Sequence, residues 1–266
     1  HATQLDDDRL TAECTDKLGM MLRITGELDL ADQCFRAAST LYRRLRDYRP
    51  ADEGAAVVGR ALVAQQRGDI TAAEGWFRKG VEVLKGSGHQ RGLATSVNGL
   101  AEVARLQGDF ARAENLYRQV LSIHQALGSN IASVVQLNLA LVQLQQRQFH
   151  NAQKSLEPLL DIFEAQGSKA WLGCVHVFLL PCFTDRRDWG RWDHHFRVGF
   201  NMIDASGMAD GDLAWPLRMS GEMLQERGMD GRARQSLEFA QAQYEALGRS
   251  EEVESLQRAL EQLPKA

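Results

Sequence analysis

Cysteine, proline and lysine are all scarce in this chain of 266 residues. The 4 cysteines, Cys14, Cys34, Cys174 and Cys182, form no C-x-x-C pair, which excludes zinc-ribbon and thioredoxin-type motifs. Their number is far below that of a disulfide scaffold, so free, buried thiols in a reducing cytoplasm are expected. Proline (5) is outnumbered by glycine (23), which suits helix ends better than proline-rich linkers. The 6 lysines stand against 25 arginines, a bias of composition that carries no functional content. No apolar run reaches the ~18 residues needed to span a bilayer. The longest, Trp171 to Phe183, is interrupted by His176 and fits a buried helix. Net charge is −4 and the pI about 6.0, so nothing global favours nucleic acid. The chain opens His1-Ala2 without Met or an apolar leader, which reads as a tag remnant or an excised fragment, and a longer cytoplasmic protein is expected. G-x-S-x-G, H-E-x-x-H, P-loop and G-x-G-x-x-G motifs are all missing. No enzyme, cofactor, catalytic residue or metal site is expected.

What is present is a repeat. Leu28, Ile70, Phe110, Phe149, Trp189 and Asp230 follow one another at 42, 40, 39, 40 and 41 residues. Gly26, Gly68, Gly108 and Gly228 each stand two residues before one of them, and Arg147 and Arg187 take that place in the other two units. A second ladder, Gly88, Gly128, Gly167, Gly207 and Gly248, recurs at 40, 39, 40 and 41. Glycine at such points reads as a left-handed helix C-cap. The 15–20 residues between the two ladders carry helical stripes, such as Val97, Leu100, Ala101, Ala104 and then Phe110, Ala113, Tyr117, Val120. No period-2 alternation suggests a strand.

These residues resemble the tetratricopeptide repeat. Leu18, Gly19, Leu22, Gly26, Leu28, Ala31, Phe35 and Ala38 match best, and Ala61, Gly68, Ile70, Ala73, Phe77 and Gly80 follow. Leu139, Ala140, Phe149, Ala152 and Leu156 continue the pattern, and Gly221, Gly228, Ala233, Leu237 and Ala240 complete it. The ~40-residue period is that of the long-helix repeats of kinesin light chains and of bacterial ATPase- or kinase-linked regulators. The resemblance implies an all-α, right-handed α-solenoid (superhelix) of about six helix pairs plus a capping helix. The repeats fall at about 6–48, 50–87, 89–127, 129–166, 168–206 and 209–247, with the cap at 250–263, in one array over 1–266. Arg60 departs from the pattern at a leucine position. In repeat five Pro181 is expected to kink the first helix, and Trp192 to push the pair apart.

The resemblance also places a concave, partner-binding groove on the first helix of each pair. Its residues would be Met20, Arg23, Leu62, Gln65, Gln66, Asn98, Glu102, Arg105, Leu137, Leu141, Leu144, Val177, Trp215, Arg218 and Glu222. The implied function is a protein- or peptide-binding scaffold, a regulatory module beside a kinase, ATPase or DNA-binding domain, with no direct nucleic-acid or membrane contact. No lysine falls on these positions, which argues against the lysine-and-asparagine carboxylate clamp of chaperone cofactors. The alternative is a sensor of a small molecule or peptide pheromone, as in maltotriose-sensing activators. Trp171, His176, Trp189, Trp192 and Trp215 would then wall a pocket. His194-His195 reads as surface histidine, since adjacent helical residues point ~100° apart. The run Arg43, Arg44, Arg46, Arg49 suits a helix C-terminus, and Asp6-Asp7-Asp8 a helix start.

Overall fold

The computed structural model describes residues 2–264, with side chains from Asp8 onward. Thirteen helices and no strand are found among the described residues. They are α1 (Ala2–Ile24), α2 (Leu28–Arg44), α3 (Pro50–Gln66), α4 (Ile70–Leu84), α5 (Gln90–Leu106) and α6 (Phe110–Ala126). There follow α7 (Ile131–Gln145), α8 (Phe149–Ala165), α9 (Lys169–Arg186), α10 (Trp189–Ser206), α11 (Gly211–Gln225), α12 (Asp230–Ala246) and α13 (Ser250–Glu261). This is the all-α repeat solenoid expected. The chain divides into two compact units, residues 1–132 and 133–266. Of the acidic run, the side chains of Asp6 and Asp7 lie outside the described residues. Because α1 begins at Ala2, Asp8 sits inside the helix and not at its start.

The punctuation is physical. Gly26, Gly68, Gly108 and Gly228 have positive φ, and so do all five glycines of the second ladder. Past the turn, Asp69, Asp109 and Asp188 accept from the backbone N–H three residues on, capping α4, α6 and α10. Arg147 and Arg187, the departures from the turn glycine, adopt the same left-handed conformation with φ 56° and 55°.

In the first unit the helices stack through rings seated in glycine notches. A Cβ on Gly59 of α3 would meet the Phe35 ring of α2 at 2.4 Å, and one on Gly99 of α5 would meet the Phe77 ring of α4 at 2.3 Å. Phe35 and Phe77 are fully buried there. Each notch lets the second helix of one pair approach the first helix of the next, which buries the face a lone pair leaves open.

In the second unit α9 runs unbroken through Pro181 and is buried at every residue from Leu172 to Thr184. The long apolar run is therefore a buried helix, and no helix among the described residues is long and apolar enough to cross a membrane. Trp192 does not prise repeat five open. It is fully buried, its indole Nε1–H donates to Ser220 Oγ at 2.9 Å, and Thr184 Oγ lies 2.9 Å from the same oxygen. Thr184 gives its own proton to Leu180 O at 2.8 Å, so Ser220 must donate to Thr184, and every group is satisfied. Gly173 and Gly199 keep α9 and α10 close beyond the tryptophan. At the end of the chain, α13 packs on α12 and buries Leu256, with Leu263 just beyond the helix.

All four cysteines are free, but only Cys174 and Cys182 are buried. Cys34 is half-buried and Cys14 exposed, because Cys14 falls on the outward side of the first helix.

Alanine in a helix interior ordinarily gains about 0.5–1 kcal/mol over glycine. Gly75→Ala in α4, where a Cβ meets nothing within 4 Å, is expected to show that gain in chemical denaturation. Gly99→Ala is expected to reverse the sign and lose about 1–2 kcal/mol, because the methyl must displace the Phe77 ring.

Candidate functional site

The leucines Leu137, Leu141 and Leu144, expected on a binding face, are 2%, 1% and 0% exposed. They belong to the core of the second unit, as does Val177. The reason is that α7 presents apolar residues on nearly its whole circumference, so an inward stripe cannot be told from a core stripe.

The candidates of the first unit lie on the first helices of its pairs. Met20 is exposed, and Arg23 on α1 donates from Nη1 to Gln66 Oε1 on α3 at 3.5 Å. Leu62 and Gln65 are half-buried on α3, as is Asn98 on α5. Arg105 and Glu102 form a half-buried ion pair at 2.9 Å, and the Tyr117 hydroxyl donates to the same carboxylate. Burial and that carboxylate push the Tyr117 phenol well above its usual range, so it stays a donor. These contacts hold α5 to α6 and leave Glu102 and Arg105 engaged with the protein.

Trp215, Arg218 and Glu222 come together. They occupy successive turns of α11 and share a concave pocket of ≈ 340 Å³ with Met219, Met223, Glu226, Tyr244 of α12, and Gln145 and Arg147 at the end of α7. The volume sits at the small end of ligand sites, room for one or two peptide residues. Trp215 with the two methionines gives an adaptable apolar floor. Arg218 is engaged, donating to Glu222 at 2.7 Å and to Ser255 Oγ at 3.2 Å. Arg147 and Glu226 have no ion-pair partner among the described residues, so the rim carries one open charge of each sign. Gln145 Oε1 is buried without a hydrogen bond. An unmet acceptor of this kind favours a ligand that brings an N–H.

Sequence reasoning missed Gln145, Arg147, Met219, Met223, Glu226 and Tyr244. For Arg147 a signal existed: an arginine stands where four repeats have the turn glycine. A non-glycine residue in the left-handed region costs about 1–2 kcal/mol, which the surrounding turn must hold.

The aromatic wall imagined around repeat five does not assemble. Trp192 is spent in the core, Trp171 stacks on Phe163 at 6.4 Å, Trp189 lies beneath Arg232, and Trp215 faces the pocket just described. His195 is also corrected. It is buried, with its Nδ1 2.8 Å from Nδ1 of buried His176, while His194 stays exposed. The i, i+19 pairing crosses from α10 to α9 and leaves no trace in sequence spacing. Burial lowers both pKa values, and the neighbouring histidines and Arg191 reinforce this against a weak opposing effect of Asp188. Two neutral imidazoles share one N–H···N bond. No group of three or more metal-ligating side chains is present among the described residues.

Family models described as tetratricopeptide repeat match residues 11–47 and 52–126. No curated protein matches the sequence. Among solved structures, the apo form of RapI superposes with a TM-score of 0.73 at 14% identity, over 91% of this chain and 84% of that one. A signal transduction ATPase with numerous domains and a tetratricopeptide repeat sensor, from Pyrococcus horikoshii, gives 0.72 at 11% identity, over 95% of this chain and 39% of that one. A Rap protein complexed with Competence and Sporulation Factor gives 0.62 at 12%, over 94% and 74%. At these identities the likeness is one of fold.

The histidine pair generates a pH dependence. Both pKa values are lower folded than the ~6.5 of an unfolded histidine, so below pH 6.5 the unfolded state binds more protons. Stability of the second unit is expected to fall on acidification below about pH 6.5, by up to about 1.4 kcal/mol per pH unit for each histidine. Denaturation of a His176→Leu/His195→Phe variant between pH 7 and 5 should show a flatter slope. An unchanged slope excludes the pair as its source.

Proposed function

The chain belongs to the tetratricopeptide-repeat family, and on that premise we propose that it is a peptide-binding module whose contact site is the pocket on α11, α12 and the end of α7. The observation that carries this reading is the pocket's composition: an apolar Trp215–Met219–Met223 floor beside a buried, unpartnered Gln145 oxygen and two open charges of opposite sign. A peptide segment supplies the complement to each. An apolar side chain fits the floor, a backbone N–H meets Gln145, and charged neighbours meet Arg147 and Glu226. The strained turn at Arg147 supports it as well, because a glycine there would relieve the backbone and remove the cation.

We extend the proposal to biological role. The repeats act as one regulatory module of a longer signalling protein, in which ligand occupancy is passed to a neighbouring domain. The solved proteins of like fold include a signal transduction ATPase with a repeat sensor and a Rap protein complexed with Competence and Sporulation Factor. The thirteen helices serve as scaffold, without a catalytic role. The pheromone-sensor alternative places a small secreted peptide in this same pocket.

The test is peptide display against the whole chain, followed by calorimetry of the selected peptide. Trp215→Ala is expected to weaken binding by at least about tenfold, the loss of one well-packed aromatic anchor. Arg147→Gly is expected to stabilise the protein by about 1 kcal/mol while weakening the same peptide. Wild-type affinity in both variants excludes the pocket.

A further inference from the structure

The first unit carries a cluster of charged residues of its own. In the groove between α2 and α4, floored by α3, Arg36, Arg43, Arg60 and Lys79 surround a small pocket of ≈ 130 Å³ with Trp76 in its wall. One carboxylate, Glu53, lines it. Glu53 is already engaged by the Tyr48 hydroxyl at 2.6 Å and by Arg43 at 3.4 Å.

Arg60 is the anomaly. It takes the place where the three following repeats have Leu100, Leu139 and Leu179, all buried. Its guanidinium, 14% exposed, pairs with Asp32 at 2.7 Å and lies 3.7 Å over the Trp76 ring. Asp32 serves Arg36 as well, at 3.2 Å. Burial alone would raise the Asp32 carboxyl, yet the two arginines hold it below its ordinary value. The bonds to Asp32 use Nε and Nη2 of Arg60 and leave Nη1 without a partner among the described residues.

Stacking does not require this polarity. Forty residues on, the next repeat puts Leu93 for Glu53, Leu100 for Arg60, Leu116 for Trp76 and Gln119 for Lys79. Arg36 and Arg43 keep cationic counterparts in Arg78 and Lys85, 42 residues on, so the charge that stacking leaves unexplained is that of Arg60 and Lys79. A guanidinium at a leucine position costs desolvation, and a ligand that needs the charge explains its being there.

We propose that this groove is a binding site for a phosphoryl group. The volume admits a tetrahedral oxyanion. Arg36 and Arg60 share Asp32, Arg43 pairs with Glu53 and Lys79 with Glu82 at 3.1 Å, so the lining holds one cation more than its carboxylates. The remaining guanidinium and ammonium N–H groups suit the three acceptor oxygens of a phosphoryl group. The phosphoryl group comes either from free inorganic phosphate or from a phosphorylated side chain of a protein ligand.

Thermal melts of the whole chain in inorganic phosphate, against chloride at equal ionic strength, test the site. Calorimetry with a phosphoserine peptide and its unphosphorylated twin tests the source. Phosphate is expected to raise the Tm of the wild type. Arg60→Leu, which restores the residue of the neighbouring repeats, should abolish the rise. Arg43→Gln/Lys79→Gln, at exposed positions that do not threaten folding, should weaken binding at least about tenfold. Arg118→Gln, on exposed α6, should behave as the wild type. A phosphopeptide that binds tenfold or more tighter than phosphate identifies a phosphorylated protein as the source, and equal affinity identifies free phosphate. An identical Tm rise in all variants, or neither a rise with phosphate nor heat with the phosphopeptide, overturns the proposal.

Discussion

The first unit depends on one steric constraint, that a ring on the second helix of each pair must sit where the next helix has no side chain. Phe35 against Gly59 and Phe77 against Gly99 are the two instances, and in each a single added methyl carbon would overlap the ring. The contact sets the spacing of consecutive pairs. It thereby decides which faces of α1, α3 and α5 reach each other and where grooves are left between α2, α4 and α6. The second unit meets the same demand by other means. There Trp192 fills the space between α9, α10 and α11, and a three-membered hydrogen-bond chain through Ser220 and Thr184 keeps its one polar atom satisfied. A large residue in a small residue's place is accommodated by a partner for its N–H and by glycines further along the helices.

Most of the architecture was legible from spacing. Turn glycines and apolar stripes register the backbone directly, because only glycine takes the left-handed turn without strain and only a helical period buries Val97, Leu100, Ala101 and Ala104 together. The residues facing a binding site were less legible. Trp215, Arg218 and Glu222 line one pocket because α11 is amphipathic enough to show an outward stripe. Leu137, Leu141 and Leu144 were misplaced because α7 is apolar on nearly all sides. The His176–His195 contact and the closing of the pocket by Tyr244 join residues on different helices, and no period reports such contacts.

Two departures from the repeat border the two proposed sites. Arg147 keeps a left-handed backbone that glycine would hold without strain, and it borders the pocket of the second unit. Arg60 buries a guanidinium where its counterparts bury leucine, and it borders the cationic groove of the first. In both, the repeat supplies the scaffold, and the side chain that breaks the repeat's rule is the one at the proposed site.

The central claim is that ligand recognition by the second unit is confined to the pocket around Trp215. Amide hydrogen exchange of the whole chain, with and without a peptide selected by display, tests it directly. Protection is expected in α11, in the turn at residues 145–148 and around Tyr244, with exchange in α8 and α10 unchanged. Protection that spares α11 and appears on α8 or α10 would contradict it.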